Sequence, residues 1–569
     1  MKMTVARVFL LSLLLSGCAS YSQHIRDGLD AFAVRDYKTA IKSMDETFSD
    51  DSNDRLLRHM ELGLIDHLAG HLEQSNRHLN QAETIADELY THRLTDMLAT
   101  MITNPRNGPY RGTDFERAYI PYYKILNNLS QSAHHEKWSG ALTAARVESR
   151  KSDILLTALR NEVGDYQDLN DEKKRTFSQL REVFSSVLGT PPSRDALIFR
   201  DDAYIRYITG LVYELNGEYD NARIAYEQAA RLYDDGYAKQ FGLGKSIIQE
   251  AWLETARMMR KAGGFDDELA RIVQGKLSPE QKEALNSSPE GGQLLIIQHL
   301  GMIPRRREMN LIASINEREK ELYVRLLPGG TPQDRQDQAA WFYEMYADKG
   351  LLEFLENYAE GGLFKAAWST REMEIPLRPV WHLARNSGLV GALKQGVRVT
   401  VPYYPRFRPG YGTSEIRING QAPVAMINAE SLARLAIQSQ IVAANDDMNE
   451  ALSREALKGI LILNALKAPD QDASPLAGLA TSLVTMVTSA AETRNWLTLP
   501  SAIRIRRIPL TNGTHEVTIH THRTGGGTYD LTQKQITIRD GETQVLEVRS
   551  LPGSRVASAE LEAEPTWNR

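Results

Sequence analysis

Cysteine is nearly absent, with one in 569 residues. That excludes an intrachain disulfide, so stability has to come from buried apolar surface, which a chain of this length can organise into two to four domains. Neither sign of charge is in large excess, since 67 Lys and Arg stand against 73 Asp and Glu for a formal net charge of -6. A mildly acidic balance argues against a broad non-specific nucleic-acid surface. Long hydrophobic runs are scarce as well: Val8 to Leu15 is largely apolar but falls short of the roughly 20 residues a spanning helix needs.

The single cysteine sits in L-S-L-L-L-S-G-C-A-S, residues 11–20. Lys2 and Arg7, the apolar run and the small residues after it predict a signal peptide over residues 1–17. Within it, Leu15-Ser16-Gly17-Cys18 resembles the lipobox of bacterial lipoproteins. The resemblance implies cleavage before Cys18 and acylation of that residue, leaving no thiol nucleophile or ligand. Cleavage there would leave 552 residues at a formal charge of -8, because Lys2 and Arg7 are lost. Ala19, in place of an Asp, resembles the outer-membrane sorting outcome. The expected location is therefore the outer membrane, lipid-anchored and facing the periplasm, where several acyl chains hold stably.

From Cys18 to about residue 280 the pattern is helical. In Ala203 to Asp234, the residues Gly210, Tyr213, Gly217, Tyr219, Ala222, Tyr226 and Ala229 fall at the offsets of a tetratricopeptide (TPR) repeat. Gly210 and Ala222 let two antiparallel helices approach, Gly217 turns the chain, and the tyrosines fill the gap to the next repeat. Weaker copies precede it: Gly28, Tyr37 and Ala40; then Leu62, Gly63, Gly70 and Ala82; then Trp138 and Ala141. Such a TPR-like solenoid offers a concave face to a partner, or serves only as a spacer. The loop N-P-R-N-G-P-Y-R-G-T-D-F-E-R, residues 104–117, carries Arg106 and Arg111 as candidate ligand or partner contacts, with helix capping by Thr113 or Asp114 as the simpler use. Gly244-Lys245-Ser246 is no phosphate loop, because Lys239 stands where the first glycine belongs.

The period changes after S-S-P-E-G-G. Residues 293–425 are expected to be a β-rich region, 426–492 a helical insertion and 493–569 the strands that complete the sheet. Expected strands include 293–300, 397–404 paired with 415–418, 502–508 paired with 515–521 through Asn512-Gly513, and 535–538 paired with 544–548. The fold class is thus multidomain α+β, a TPR-like helical solenoid followed by a mainly β, sandwich-like region with inserted helices.

The fragments R-G-T-D-F-E-R-A-Y-I-P-Y-Y-K-I-L-N (111–127), R-P-V-W-H-L (378–383), V-T-V-P-Y-Y-P (399–405) and T-R-N-W-L-T-L-P (493–500) resemble a family of uncharacterised bacterial lipoproteins. So do Ile508-Pro509-Leu510 and Gly513-Thr514-His515. The resemblance implies a helical repeat region ahead of a β-rich one, and with no catalytic residue established for that family it carries none over to this chain. It also hints at envelope assembly, with another lipoprotein or the cell-wall synthesis machinery as partner.

Residues 473–491 form an uncharged, small-residue stretch. It suits a buried helix or a homo-oligomer contact better than a membrane span, since Ser and Thr punctuate it. No metal site is expected: His520 with His522, and His67 with His71, each lack a third ligand nearby in sequence. The arginine runs 305–307 and 504, 506, 507 suit an anionic contact surface or solvated positions. The expected role is a non-enzymatic, cofactor-free envelope scaffold. The alternative is a module gripping cell-wall glycan or a small ligand. Trp381, Tyr403, Tyr404 and Phe407 beside Arg406 and Arg408 decide between them: an open groove favours ligand binding, and a filled core favours scaffolding.

Overall fold

Side-chain caps start some of the helices, and a repeated glycine sets how closely three pairs of them pack. The computed structural model describes residues 25–50, 52–91, 105–132, 138–161, a few positions between 179 and 188, 201–286, 291–347, 372–466 and 489–552. The signal-like stretch, Cys18 and all but the last three residues of 473–491 lie outside these. The N-terminal helices are α1 (25–33), α2 (Tyr37–Thr47), α3 (Arg55–Leu68), α4 (Leu72–Thr91), α5 (Asp114–Ser132) and α6 (Trp138–Asn161); α7 (Ala203–Leu215), α8 (Tyr219–Leu232) and α9 (Lys245–Ala262) follow. Asp36 and Asp202 cap α2 and α7 by accepting the amides of Thr39 and Ile205.

Three of these helix pairs share one packing device. A Cβ placed on Gly28 would meet Met44 at 3.1 Å, one on Gly63 would meet Leu79 at 2.8 Å, and one on Gly210 would meet the Tyr226 ring at 2.8 Å. Each glycine faces a large side chain sixteen positions later, so the absent side chain is what lets the antiparallel partner close in. Gly217, at φ +75°, makes the turn between α7 and α8.

Among the described residues, twelve strands form three four-stranded sheets. The first, in the order β12 (Thr543–Ser550), β1 (Gly292–Leu300), β9 (Ala502–Leu510), β8 (Ile427–Glu430), has β1 parallel to β12 and antiparallel to β9. The second runs β11 (Thr528–Ile538), β10 (Gly513–Arg523), β6 (Tyr411–Ile418), β7 (Val424–Ala425). The third runs β4 (Glu372–Pro376), β3 (Glu321–Leu327), β2 (Arg307–Asn316), β5 (Val397–Tyr403) and carries α10 (Pro332–Phe342) after β3. The long helix α11 (Leu432–Leu466) packs on β5. Strand β1 is buried on both faces, which explains its unbroken apolar run. Leu294 and Ile296 meet Ile416, Val517, Ile519 and Ile538 of the second sheet, while Leu295 and Ile297 join the helical core.

Three expected hairpins are instead steps from sheet to sheet. β5 lies in the third sheet and β6 in the second; β9 lies in the first and β10 in the second; β11 lies in the second and β12 in the first. Alternation and a tight turn look the same whether a chain folds back beside itself or crosses to a facing sheet. β10 instead pairs with β11, joined across Gly525-Gly526-Gly527, and on its other side with β6.

Buried polar groups lock the helices to the first sheet. The segment 493–500 runs along this seam, where Glu116 accepts the Trp496 amide at 2.7 Å and Glu61 accepts the amides of Leu497 and Thr498 at 2.7 and 3.2 Å. Burial pushes the Glu61 carboxyl up to about 7, against the pull of those hydrogen bonds. Arg507 makes a two-pronged contact with Glu214, at 3.1 and 2.8 Å. Glu547 sits between two histidines, with His67 Nε2 at 2.9 Å and His299 Nδ1 at 3.0 Å. His67 Nδ1 lies 2.7 Å from Asn127 Oδ1, and His299 Nε2 lies 2.7 Å from the Tyr122 hydroxyl. Burial alone would raise the Glu547 carboxyl, but the His67 charge and bonds from both histidines hold it far below the usual range. Burial opposes charging His67, yet the Glu547 carboxylate outweighs it and the pKa ends above 6.5.

A raised folded-state pKa contributes stability that is full below about pH 6.5 and fades as pH rises through the folded value. His67→Gln is therefore expected to lower stability by roughly 3–5 kcal/mol in mild acid, the range for breaking a buried pair, and by less at alkaline pH. Urea unfolding of both proteins at pH 5.5 and 9 measures this; a gap that widens with pH would contradict it.

Candidate functional site

Three connecting segments converge at one end of the sheets. Residues 301–306 carry the chain from β1 to β2, residues 404–410 carry it from β5 to β6, and residues 328–331 lead into α10. Pro405 and Pro409 fix the backbone on either side of R-F-R, holding 406–408 out of any strand. Between the segments lies a cavity of about 600 Å³, within the range of ligand pockets.

Among the described residues its charged lining includes Arg305, Arg307, Arg406, Arg408 and Arg523 together with Asp334 and Asp337. Asp334 closes a capping box with Thr331 at the start of α10 and is paired with Arg307. Asp337, 2 % exposed, accepts both arms of Arg408 at 3.1 and 3.3 Å and lies 3.8 Å from Arg406 Nε. Gln333 donates to the same carboxylate at 3.0 Å. The Arg408 side chain is nevertheless 48 % exposed, so its guanidinium faces the opening as well as Asp337. Arg523 stacks over the Tyr529 ring at 6.0 Å, and Tyr529 meets Tyr411 edge to face at 5.7 Å. Leu29, Met302, Phe407 and Leu497 complete an apolar wall.

This arrangement can bind anions by charge and by bidentate hydrogen bonding. Among the described residues the one serine on the wall, Ser501, already donates to the Leu300 carbonyl at 2.8 Å and bonds the Tyr411 hydroxyl at 2.9 Å, and no histidine lines the cavity. Among the described residues no cluster of three or more His, Cys, Asp or Glu is placed to hold a metal ion, and no helix is long and apolar enough to cross a membrane.

Of the six aromatic and arginine residues expected to decide between groove and core, three line the cavity, two are buried in the core and one does neither. Phe407, Arg406 and Arg408 line the cavity. Tyr403 and Tyr404 do not: they are 1 % and 0 % exposed, with Trp341 at 6.3 Å from Tyr403 and Arg306 at 5.7 Å over Tyr404. Alternation along β5 turns Tyr403 into the core, and Pro405 delays the exit of the chain until after Tyr404. Trp381 is half-buried under Lys320 at 5.8 Å, outside the cavity. Arg106 is used within the chain, bonding the Ala491 carbonyl at 3.1 Å, Thr493 Oγ1 at 2.8 Å and Glu308 at 3.2 Å. Arg111 is half-buried in the loop ahead of α5 and also lies outside the cavity. Nor does the run 504–507 form an exposed anionic contact. Arg504 is buried, donating to Ser414 Oγ and the Gly412 carbonyl at 2.7 and 2.6 Å, and Arg507 belongs to the seam.

Sequence reasoning missed Arg523, Tyr529, Asp334 and Asp337. The T-P-Q-D box was legible as a helix start, but nothing in it marks Asp334 as facing R-F-R some seventy residues later.

Tyr404→Ala is expected to lower stability by roughly 3–5 kcal/mol, as for other large aromatic truncations in a core, and Arg408→Ala by a smaller amount, about 1–2 kcal/mol, because buried Asp337 loses both arms of Arg408 but keeps Gln333. Urea unfolding distinguishes them; similar losses would place both on one surface.

Comparison with protein-family models, curated proteins and solved structures finds no match to this chain, so its function has to be inferred from the cavity itself.

Proposed function

We propose that this protein is an outer-membrane-anchored lipoprotein, acylated at Cys18, whose folded region is a non-catalytic binding module for an anionic ligand. The arginine-lined cavity carries the proposal. Arg408, whose side chain is 48 % exposed, and Arg523 present their guanidinium groups to a space of about 600 Å³, where charge and bidentate hydrogen bonds would hold an anion. Asp337 acts as an internal stand-in for the ligand, holding Arg408 and Arg406 in place until an external anion competes for them.

The helical half is TPR-like in this reading, supported by the glycine-to-large-residue contacts at Gly28, Gly63 and Gly210 and by the Gly217 turn. Tyr226 and Glu214 of α7 and α8 face Arg507 of the first sheet, and Tyr233 donates to the Ala429 carbonyl at 2.9 Å. That face is therefore occupied by the same chain. This favours the binding-module role over a scaffold whose repeats dock a partner.

Calorimetric titration with inorganic phosphate tests the proposal. Wild type should bind, Arg408→Ala and Arg523→Ala should each bind roughly ten- to a hundredfold more weakly, the scale of a lost charge-assisted hydrogen bond, and Asp337→Asn should bind more tightly. No binding by any form, or binding indifferent to these residues, would refute it.

A further inference from the structure

The cavity is not only basic. Leu29, Met302, Phe407 and Leu497 line it together with the rings of Tyr411 and Tyr529, alongside the arginines. A site for a small, fully hydrated anion has no use for so much apolar wall, because exposing it to water is unfavourable. The wall and the guanidinium groups together fit one molecule with an anionic head and an apolar body. We infer that the ligand is an amphiphilic phosphate, an anionic membrane lipid whose headgroup pairs with Arg408 and Arg523 and whose first chain segment lies against Phe407, Leu29 and Leu497. This inference rests on the anion-binding reading above.

Position in the chain supports it. Leu29 lines the cavity from α1 and lies eleven residues after Cys18. A chain spans at most about 3.6 Å per residue, so with acylation at Cys18 the cavity stays within roughly 40 Å of the membrane surface. Lipid headgroups are then the amphiphilic phosphates at highest local concentration. A space of this size admits a headgroup and the start of its chains, leaving the rest in the bilayer.

The test uses the full acylated protein in a non-ionic detergent and three soluble probes: dihexanoyl phosphatidate, dihexanoyl phosphatidylcholine and inorganic phosphate. Phosphatidate is expected to bind at least tenfold more tightly than either of the others. Phe407→Ser should erase its advantage over inorganic phosphate without weakening phosphate itself, and circular dichroism should show both forms folded alike. Equal affinity for phosphatidate and inorganic phosphate would overturn the lipid inference and leave the anion-binding module standing. Equal affinity for phosphatidate and phosphatidylcholine would overturn it too, by removing charge selection. Failure of phosphatidate and inorganic phosphate alike would overturn both.

Discussion

Buried carboxylates along the seam between helices and first sheet are the constraint from which the rest follows. Glu61 and Glu116, on α3 and α5, take the backbone amides of 496–498, a stretch with no strand partner of its own. Without acceptors, those amides would be buried donors with nothing to bond, which is among the more costly defects a core can contain. Once they are held, β9 begins at Ala502 in the register that places Ile505 opposite Ile297 and Arg507 against Glu214. Glu547, between His67 and His299, fixes the neighbouring β12 in the same way.

The cavity depends on that lock. Its apolar wall includes Leu29 from the helices and Leu497 from the gripped segment, while Arg305, Arg406 and Arg408 come from the connections between sheets and Arg307 and Arg523 from the ends of β2 and β10. Residues 301–306 and 404–410 are free of regular pairing because each carries the chain from one sheet to another. They can therefore turn Arg305, Arg406 and Arg408 toward a common space, as loops positioned by a rigid scaffold commonly do.

Local features were largely legible in the sequence, and long-range ones were not. Helix pairs could be located from Gly28, Gly63 and Gly210 because close approach demands a missing side chain at a fixed spacing. The strands 293–300 and 502–508 were visible from their apolar content. Pairing was misjudged wherever a turn such as Asn512-Gly513 leads from one sheet to another, since the alternating pattern on both sides is identical in the two cases. The cavity was half visible: R-F-R between prolines marked an exposed turn, whereas Arg523, Asp334 and Asp337 reach it only through sheet topology. Glu61 and Glu116 look like ordinary charges on amphipathic helices, and only the tertiary structure shows what they hold.

Hydrogen exchange at the amides of Trp496, Leu497 and Thr498 tests the central claim most directly. These residues lie outside any strand, yet if Glu116 and Glu61 lock the seam they should exchange as slowly as the amides of β1 and β9, opening only when the whole structure unfolds. Exchange at the rate of an ordinary surface loop would show that the helices and the sheets are not joined in this way, and would remove the basis for the cavity they enclose.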